Sequence, residues 1–159
     1  MPAIAIQDAI PHNHCWGCGT LNPRGLRLKS YLEGEETVCR FQPSPDFMAG
    51  PTHVLYGGII AAVVDCHCCC TSIAHGYREA GRPLGSEPLI WSVTAKLEVH
   101  YLAPTPIGKP VELRARIVEA KGRKRLVACS VRSGGKETAR AELLAVDVPE
   151  SWRVPPAGE

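Results

Sequence analysis

From Ile59 to Ala74 the chain carries no Pro or Gly, and the one acid in that run is Asp65. The run is too long for a buried strand and reads as a helix, opened by Tyr56-Gly57-Gly58, with Gly76 and Gly81-Arg82-Pro83 ending the helical region. It is apolar or small on nearly every side, so the rest of the chain has to surround it. At the helical period Gly58, Ala61, Ala62, Cys68, Cys69 and Ser72 share the face of Asp65. All are small, which admits another backbone or leaves a gap for a ligand beside the carboxylate. The bulk lies opposite, in Ile59, Ile60, Val63, Val64, Cys70 and Ile73, as packing on a sheet requires. An acid in such surroundings must be paired, hydrogen-bonded or protonated. A structural hydrogen bond and a catalytic role both meet that demand.

The flanking sequence supplies the sheet. Leu26, Leu28 and Leu32 alternate with polar residues, and after the turn Glu33-Gly34-Glu35-Glu36 the stretch Thr37 to Phe41 reads as a second strand. Pro43, Pro45, Gly50 and Pro51 make an irregular passage into the helix, with His53 in it as an ordinary surface histidine. Beyond the helix, Val93, Ala95, Leu97, Val99 and Tyr101 alternate with Thr94, Lys96, Glu98 and His100, predicting an antiparallel strand with one wet face. Three further strands follow over Val111–Ile117, Leu126–Val131 and Thr138–Val148, separated by Lys121-Gly122-Arg123 and Ser133-Gly134-Gly135-Lys136. Two strands, one helix and four strands predict an α+β architecture, an antiparallel sheet of about six strands wrapped around one long central helix. Residues 1–24 form an amino-terminal Cys/His-containing segment, 25–148 the folded domain and 149–159 an irregular tail.

The 159 residues suffice for one domain, and 45% hydrophobic with 21% charged content is ordinary for a globular protein. A formal charge of +2, spread along the chain, argues against nucleic acid and against a charged membrane surface as partners. Asp65 and His67 interrupt the longest apolar run, so no membrane span is expected. Four of the eight cysteines, Cys66, Cys68, Cys69 and Cys70, crowd one helix, where bridges between them do not fit. A reducing, cytoplasmic setting is therefore expected.

His12-Asn13-His14-Cys15-Trp16-Gly17-Cys18-Gly19 invites a zinc reading. The sequence shows no second ligand pair downstream, and adjacent His14 and Cys15 do not easily reach one ion, so no metal and no cofactor is assigned. Gly57 and Gly58 matter for another reason. Lacking side chains, they let a ligand approach the free N–H groups at the positive end of the helix, where a polarised carbonyl oxygen fits.

Cys15-Trp16-Gly17-Cys18-Gly19 with Asn22-Pro23-Arg24-Gly25-Leu26, the Gly57-Gly58 pair with Asp65 seven residues beyond Gly58, and Val99-His100-Tyr101-Leu102-Ala103-Pro104-Thr105-Pro106-Ile107-Gly108 occur in this order. Together they resemble the hotdog-fold acyl-CoA thioesterases of the phenylacetate-pathway (PaaI) type, over roughly residues 12–148. The resemblance implies the hotdog fold and hydrolysis of an acyl-CoA. It implies Asp65 as nucleophile or general base and backbone N–H groups at Gly57 and Gly58 polarising the thioester carbonyl. It also implies a site at the interface of a homodimer or dimer of dimers. Family members commonly carry His just before the paired glycines; here that residue is Tyr56. Tyr56, Ala61, Ala62, Cys69 and Ser72 are then candidates to line the substrate site, Ser72 by holding the water. Arg123, Lys124 and Arg125, after the Gly122 turn, are candidates for the phosphates of coenzyme A. A non-catalytic acyl-CoA or small-ligand binder on the same fold is the alternative, motivated by Tyr56.

Overall fold

The structure is a computed structural model and describes residues 3–158. A short helix α1 (Ile6–Ala9) precedes β1 (Ser30–Glu33) and β2 (Glu36–Phe41). The long helix α2 (Gly57–Glu79) comes next, followed by β3 (Ser92–Tyr101), β4 (Val111–Lys121), β5 (Lys124–Ser133), β6 (Lys136–Asp147) and a last turn of helix, α3 (Glu150–Arg153). The six strands form one antiparallel sheet in the order β1-β2-β4-β5-β6-β3. This is the hotdog arrangement, a sheet wrapped on a central helix.

The core lies between α2 and the inner face of the sheet. Ile60, Val63, Val64 and Cys68 of the helix are buried with Val38, Leu113, Val127, Val131 and Leu143 of the strands. The alternating residues of each strand supply one side of this contact and the apolar bulk of the helix the other. By length and composition α2 is apolar enough to cross a bilayer, contrary to the expectation drawn from Asp65 and His67. Its burial against the sheet accounts for that composition.

Four sequence expectations are corrected. Of the two stop signals, Gly76 does not end the helix, which runs through it to Glu79 and stops just before Gly81, where φ is 63°. A Cβ at Gly76 would stand 2.9 Å from Arg125 Nη2 and 3.0 Å from Ile90 Cγ2, so the glycine is there for close packing and not as a stop. The first strand starts at Ser30, because Leu26 and Leu28 give their N–H groups to Trp16 and Gly17 of the amino-terminal segment and Arg27 takes φ 54°. The tail, read as irregular, contains the α3 turn. Finally, β3 does not alternate strictly: its register against β6 shifts between Thr94 and Lys96, a β-bulge at Ala95.

The amino-terminal segment joins the same core, with Ile6, Ile10, Cys18 and Leu28 all buried. Three glycines permit this. A Cβ at Gly25 would lie 2.0 Å from the Trp16 carbonyl oxygen, one at Gly19 2.5 Å from the Cys15 nitrogen, and one at Gly17 2.2 Å from Cys66 Sγ.

Candidate active site

Asp65 lies midway along a face of α2 that the chain covers only in part. Gly58 is exposed there, and Ala61, Ala62, Asp65 and Cys69 are half-buried. The residue that fixes the carboxylate comes from the neighbouring edge strand: Thr94 Oγ1 donates to Asp65 Oδ1 at 2.5 Å. Thr94 Oγ1 also lies 3.2 Å from Cys69 Sγ. The bulge at Ala95 makes this possible. On the near side of it Ser92 and Thr94 point to the helix, and beyond it Tyr101 does so. Unbroken alternation would place Thr94 and Tyr101 on opposite faces.

Beside Asp65 opens a cavity of about 270 Å³, mostly apolar, whose walls include Ile10, Cys18, Cys69, Ile73, Trp91 and Trp152. The amino-terminal segment, through Ile10 and Cys18, and the last helical turn, through Trp152, therefore both contribute to its wall. Asn13 is buried on its wall, whereas His14 is exposed and does not line it. A carboxylate at the edge of such a pocket is reachable from solvent, and the remainder has room for an apolar group.

At its amino terminus α2 is uncapped. Tyr56 occupies the cap position without a side-chain hydrogen bond, and its carbonyl accepts from Ile59 and Ile60. The N–H groups of Gly57 and Gly58 thus have no intrahelical acceptor and carry the positive end of the helix dipole. Tyr101 donates its hydroxyl to the Gly57 carbonyl at 2.7 Å. The Tyr56 ring folds back over Gly58, where a Cβ would meet it at 2.4 Å. Burial pushes the Tyr101 phenol above its ordinary value, so it stays a neutral donor.

The other candidates have mixed positions. Cys69 lines the cavity, and burial pushes its thiol up to about 12, keeping it protonated and unreactive near neutrality. Ser72 is fully buried and engaged: its Oγ lies 2.9 Å from Ser92 Oγ and accepts from Arg125 Nη1 at 3.5 Å. That network replaces the water-holding role that its place on the helix face suggested. Arg123 and Lys124 are exposed on the β4–β5 turn, where Asp147 N–H donates to the Arg123 carbonyl, and they do not line the cavity beside Asp65. His67 is a satisfied core histidine: Nδ1 lies 2.8 Å from Ser30 Oγ, and Nε2 lies 3.2 Å from the Thr37 carbonyl oxygen. Thr94 and Tyr101, which bond Asp65 and Gly57, and Trp91 and Trp152, which line the cavity, are neighbours of the candidate residues that the sequence did not announce. A bulge has no sequence period, Trp91 precedes β3 in a loop with no pattern of its own, and Trp152 lies far from α2 along the chain.

The sequence profile of the thioesterase superfamily matches residues 52–140, which include α2, β3, β4 and β5. The chain is 29% identical over 143 residues to the acyl-coenzyme A thioesterase THEM4 of Bos taurus, a match covering 89% of this chain and 53% of the bovine protein. Against the Xenopus laevis protein of the same name it is 30% identical over 109 residues, covering 69% of this chain and 43% of the relative. The chain thus spans about half the length of these relatives. A crystal structure of a thioesterase superfamily protein from Shewanella loihica PV-4 superposes with a TM-score of 0.69 at 35% identity, covering 90% of this chain and 99% of that one.

Proposed function

The chain belongs to the thioesterase superfamily, and from that premise we propose that it is an acyl-CoA thioesterase of the PaaI type with Asp65 as its catalytic carboxylate. The observation that carries the reading is the placement of Asp65, held by Thr94 at the edge of an apolar cavity. The acyl group occupies that cavity. Asp65 takes a proton from water as the oxygen attacks the thioester carbonyl, or attacks directly to give a mixed anhydride that water then opens. The oxyanion that develops is received by backbone N–H groups at Gly57 and Gly58. In the first route the C–S bond breaks as the thiolate of coenzyme A takes the proton from Asp65, and the free acid leaves; in the second the thiolate leaves as the anhydride forms and is protonated by the water that opens it, which releases the acid and restores the carboxylate.

One chain does not assemble this site. Gly57 and Asp65 are eight residues apart on one helix, about 12 Å along its axis at 1.5 Å per residue. A single carbonyl cannot touch both. The reading therefore requires a homodimer, alone or paired into a tetramer, in which the glycine N–H groups of one copy face Asp65 of the other. Two features support it: β3 is an edge strand with an unpaired side, and the face of α2 that the chain covers only in part lies beside it. Among the described residues neither Arg123 nor Lys124 makes an ion pair, which leaves both for the phosphates of coenzyme A.

Steady-state hydrolysis of aryl, short-chain and long-chain acyl-CoAs by the native protein and Asp65→Asn tests the reading. Turnover of some member, with a fall of about two orders of magnitude or more in the folded variant, is the expected outcome. Binding of acyl-CoA without turnover by either protein favours the non-catalytic binder. Tyr56, at the position where the PaaI type commonly has His, with its ring lying over Gly58, is the observation that favours that second reading.

A further inference from the structure

We infer that Cys15, Cys18 and Cys66 form a thiolate zinc site that fastens the amino-terminal segment to α2 beside the cavity. The three sulfur atoms lie within 4.8 Å of one another. Cys15 Sγ and Cys66 Sγ are 3.6 Å apart. Zn–S bonds of about 2.3 Å at the tetrahedral angle put neighbouring sulfurs about 3.8 Å apart, so this edge is already at the length the ion needs.

The surroundings are those of a built site. The peptide turns tightly through Cys15-Trp16-Gly17-Cys18-Gly19, with Gly19 N–H donating to the Cys15 carbonyl at 2.7 Å. Gly17 and Gly19 admit no side chain there, Gly17 because Cys66 Sγ occupies the space. Asn13 is 3% exposed, orients the turn by accepting from Cys15 N–H at 3.0 Å, and points its amide at Cys18 Sγ from 3.7 Å. Such an N–H···S contact supports a thiolate from the outer shell.

The C-x-x-C pair therefore does have its partner downstream, and the partner is a helix residue rather than a second knuckle. His12 and His14, both exposed, are outside the set. So is Cys70, whose Sγ accepts from Gln7 Nε2 at 3.3 Å. Binding is a ligand exchange: three thiols release three protons and three sulfurs bond one Zn²⁺, with no change of oxidation state. Soft sulfur donors select zinc over hard cations such as magnesium. All three cysteines also line the cavity, which leaves the fourth coordination position to water or a small solute. This inference is independent of the reading of Asp65.

The test is an anaerobic titration of the reduced, metal-free protein with Co²⁺ and then Zn²⁺. One Co²⁺ per chain is expected, with the intense near-ultraviolet band of sulfur-to-cobalt charge transfer and the visible bands of a four-coordinate ion, both abolished by one equivalent of Zn²⁺. Cys15 is exposed, so Cys15→Ser keeps the core intact, and its affinity is expected to fall at least about a hundredfold. His14→Ala is expected to bind as the native protein does. Cys66→Ala adds the helix ligand; where it does not fold, the native stoichiometry and Cys15→Ser still decide. Substoichiometric cobalt, absence of the charge-transfer band, or native-like binding by Cys15→Ser each overturns the site.

Discussion

Thr94 donates its hydroxyl to the Asp65 carboxylate at 2.5 Å, across the seam between an edge strand and the central helix. In the proposed reaction Thr94 is a positioning residue, since the bond fixes one carboxylate oxygen and leaves the other to face water or substrate. Thr94→Val keeps the shape and removes the donor. We expect kcat to fall about tenfold to a hundredfold with KM within about threefold, because a hydrogen bond to a charged group contributes roughly 1.5–3 kcal/mol. Thr94→Ser, which restores the hydroxyl, is expected to recover most of the rate. A change in melting temperature with unaltered kcat would make Thr94 structural only.

The same pair shows what the sequence does and does not disclose. The apolar run around Asp65 and the alternation of the strands announce a helix under a six-stranded antiparallel sheet, and the structure has both. Alternation also assigns Thr94 to the wet face, and the bulge at Ala95 reverses that assignment. A bulge is one extra residue chosen by tertiary packing, so no local pattern marks it. The cysteines repeat the lesson. Cys15 and Cys18 are legible as a motif, but Cys66 joins them only because Gly17 lets the loop lie against α2. Ser72 fails in the opposite direction: helical periodicity puts it on the face of Asp65, yet Ser92 and Arg125 claim it.

His67 makes stability depend on pH in a defined window. Burial lowers its pKa from 6.5 to about 4, against a smaller opposing effect of the hydrogen bond to Thr37. The folded protein thus holds the ring neutral, and between these values the unfolded chain binds the proton that the folded one refuses. The contribution is fully present above pH 6.5 and is lost as pH falls through 4. At about 1.4 kcal/mol per unit it amounts to on the order of 3 kcal/mol. Urea midpoints measured across this range should fall with acid in the native protein, and His67→Gln, which has no titrating ring, should lose that part of the slope.

Arg125 closes the carboxyl end of the helix onto the sheet. Its side chain is 5% exposed and pairs with Asp147 at 2.7 Å and Glu79 at 3.3 Å, while Ser92 donates to the same Asp147 oxygen at 2.7 Å. Arg125→Met fills the volume and strands Asp147 with a single donor. Breaking a buried pair by removing one partner is strongly destabilising, and because Asp147 retains Ser92 and some solvent we expect about 2–4 kcal/mol in urea unfolding. Ser72→Ala removes an outlying member of the network and is expected to stay within about 1.5 kcal/mol of native. If Arg125→Met were neutral, the network would be incidental to the fold.

The requirement for two copies can be tested without a structure of the dimer. Gly57 is the first residue of α2, and the preceding Tyr56 has φ −59° and ψ 128°, a conformation compatible with a following proline. Gly57→Pro therefore preserves the helix start while deleting one N–H, and loss of one oxyanion donor lowers kcat about 10²–10³-fold. The proline ring would meet the Tyr101 ring, 3.3 Å from a Cβ at this position, so the variant's fold is checked by circular dichroism first. Asp65→Asn is expected to be similarly inactive. When the two inactive variants are unfolded together and refolded as a mixture, about half the dimers are hybrids. In each hybrid one site carries both defects and the other carries neither. Activity should return to about a quarter of native if the glycine and the carboxylate of one site come from different copies. If both came from a single copy, every site would retain one defect and the mixture would stay inactive.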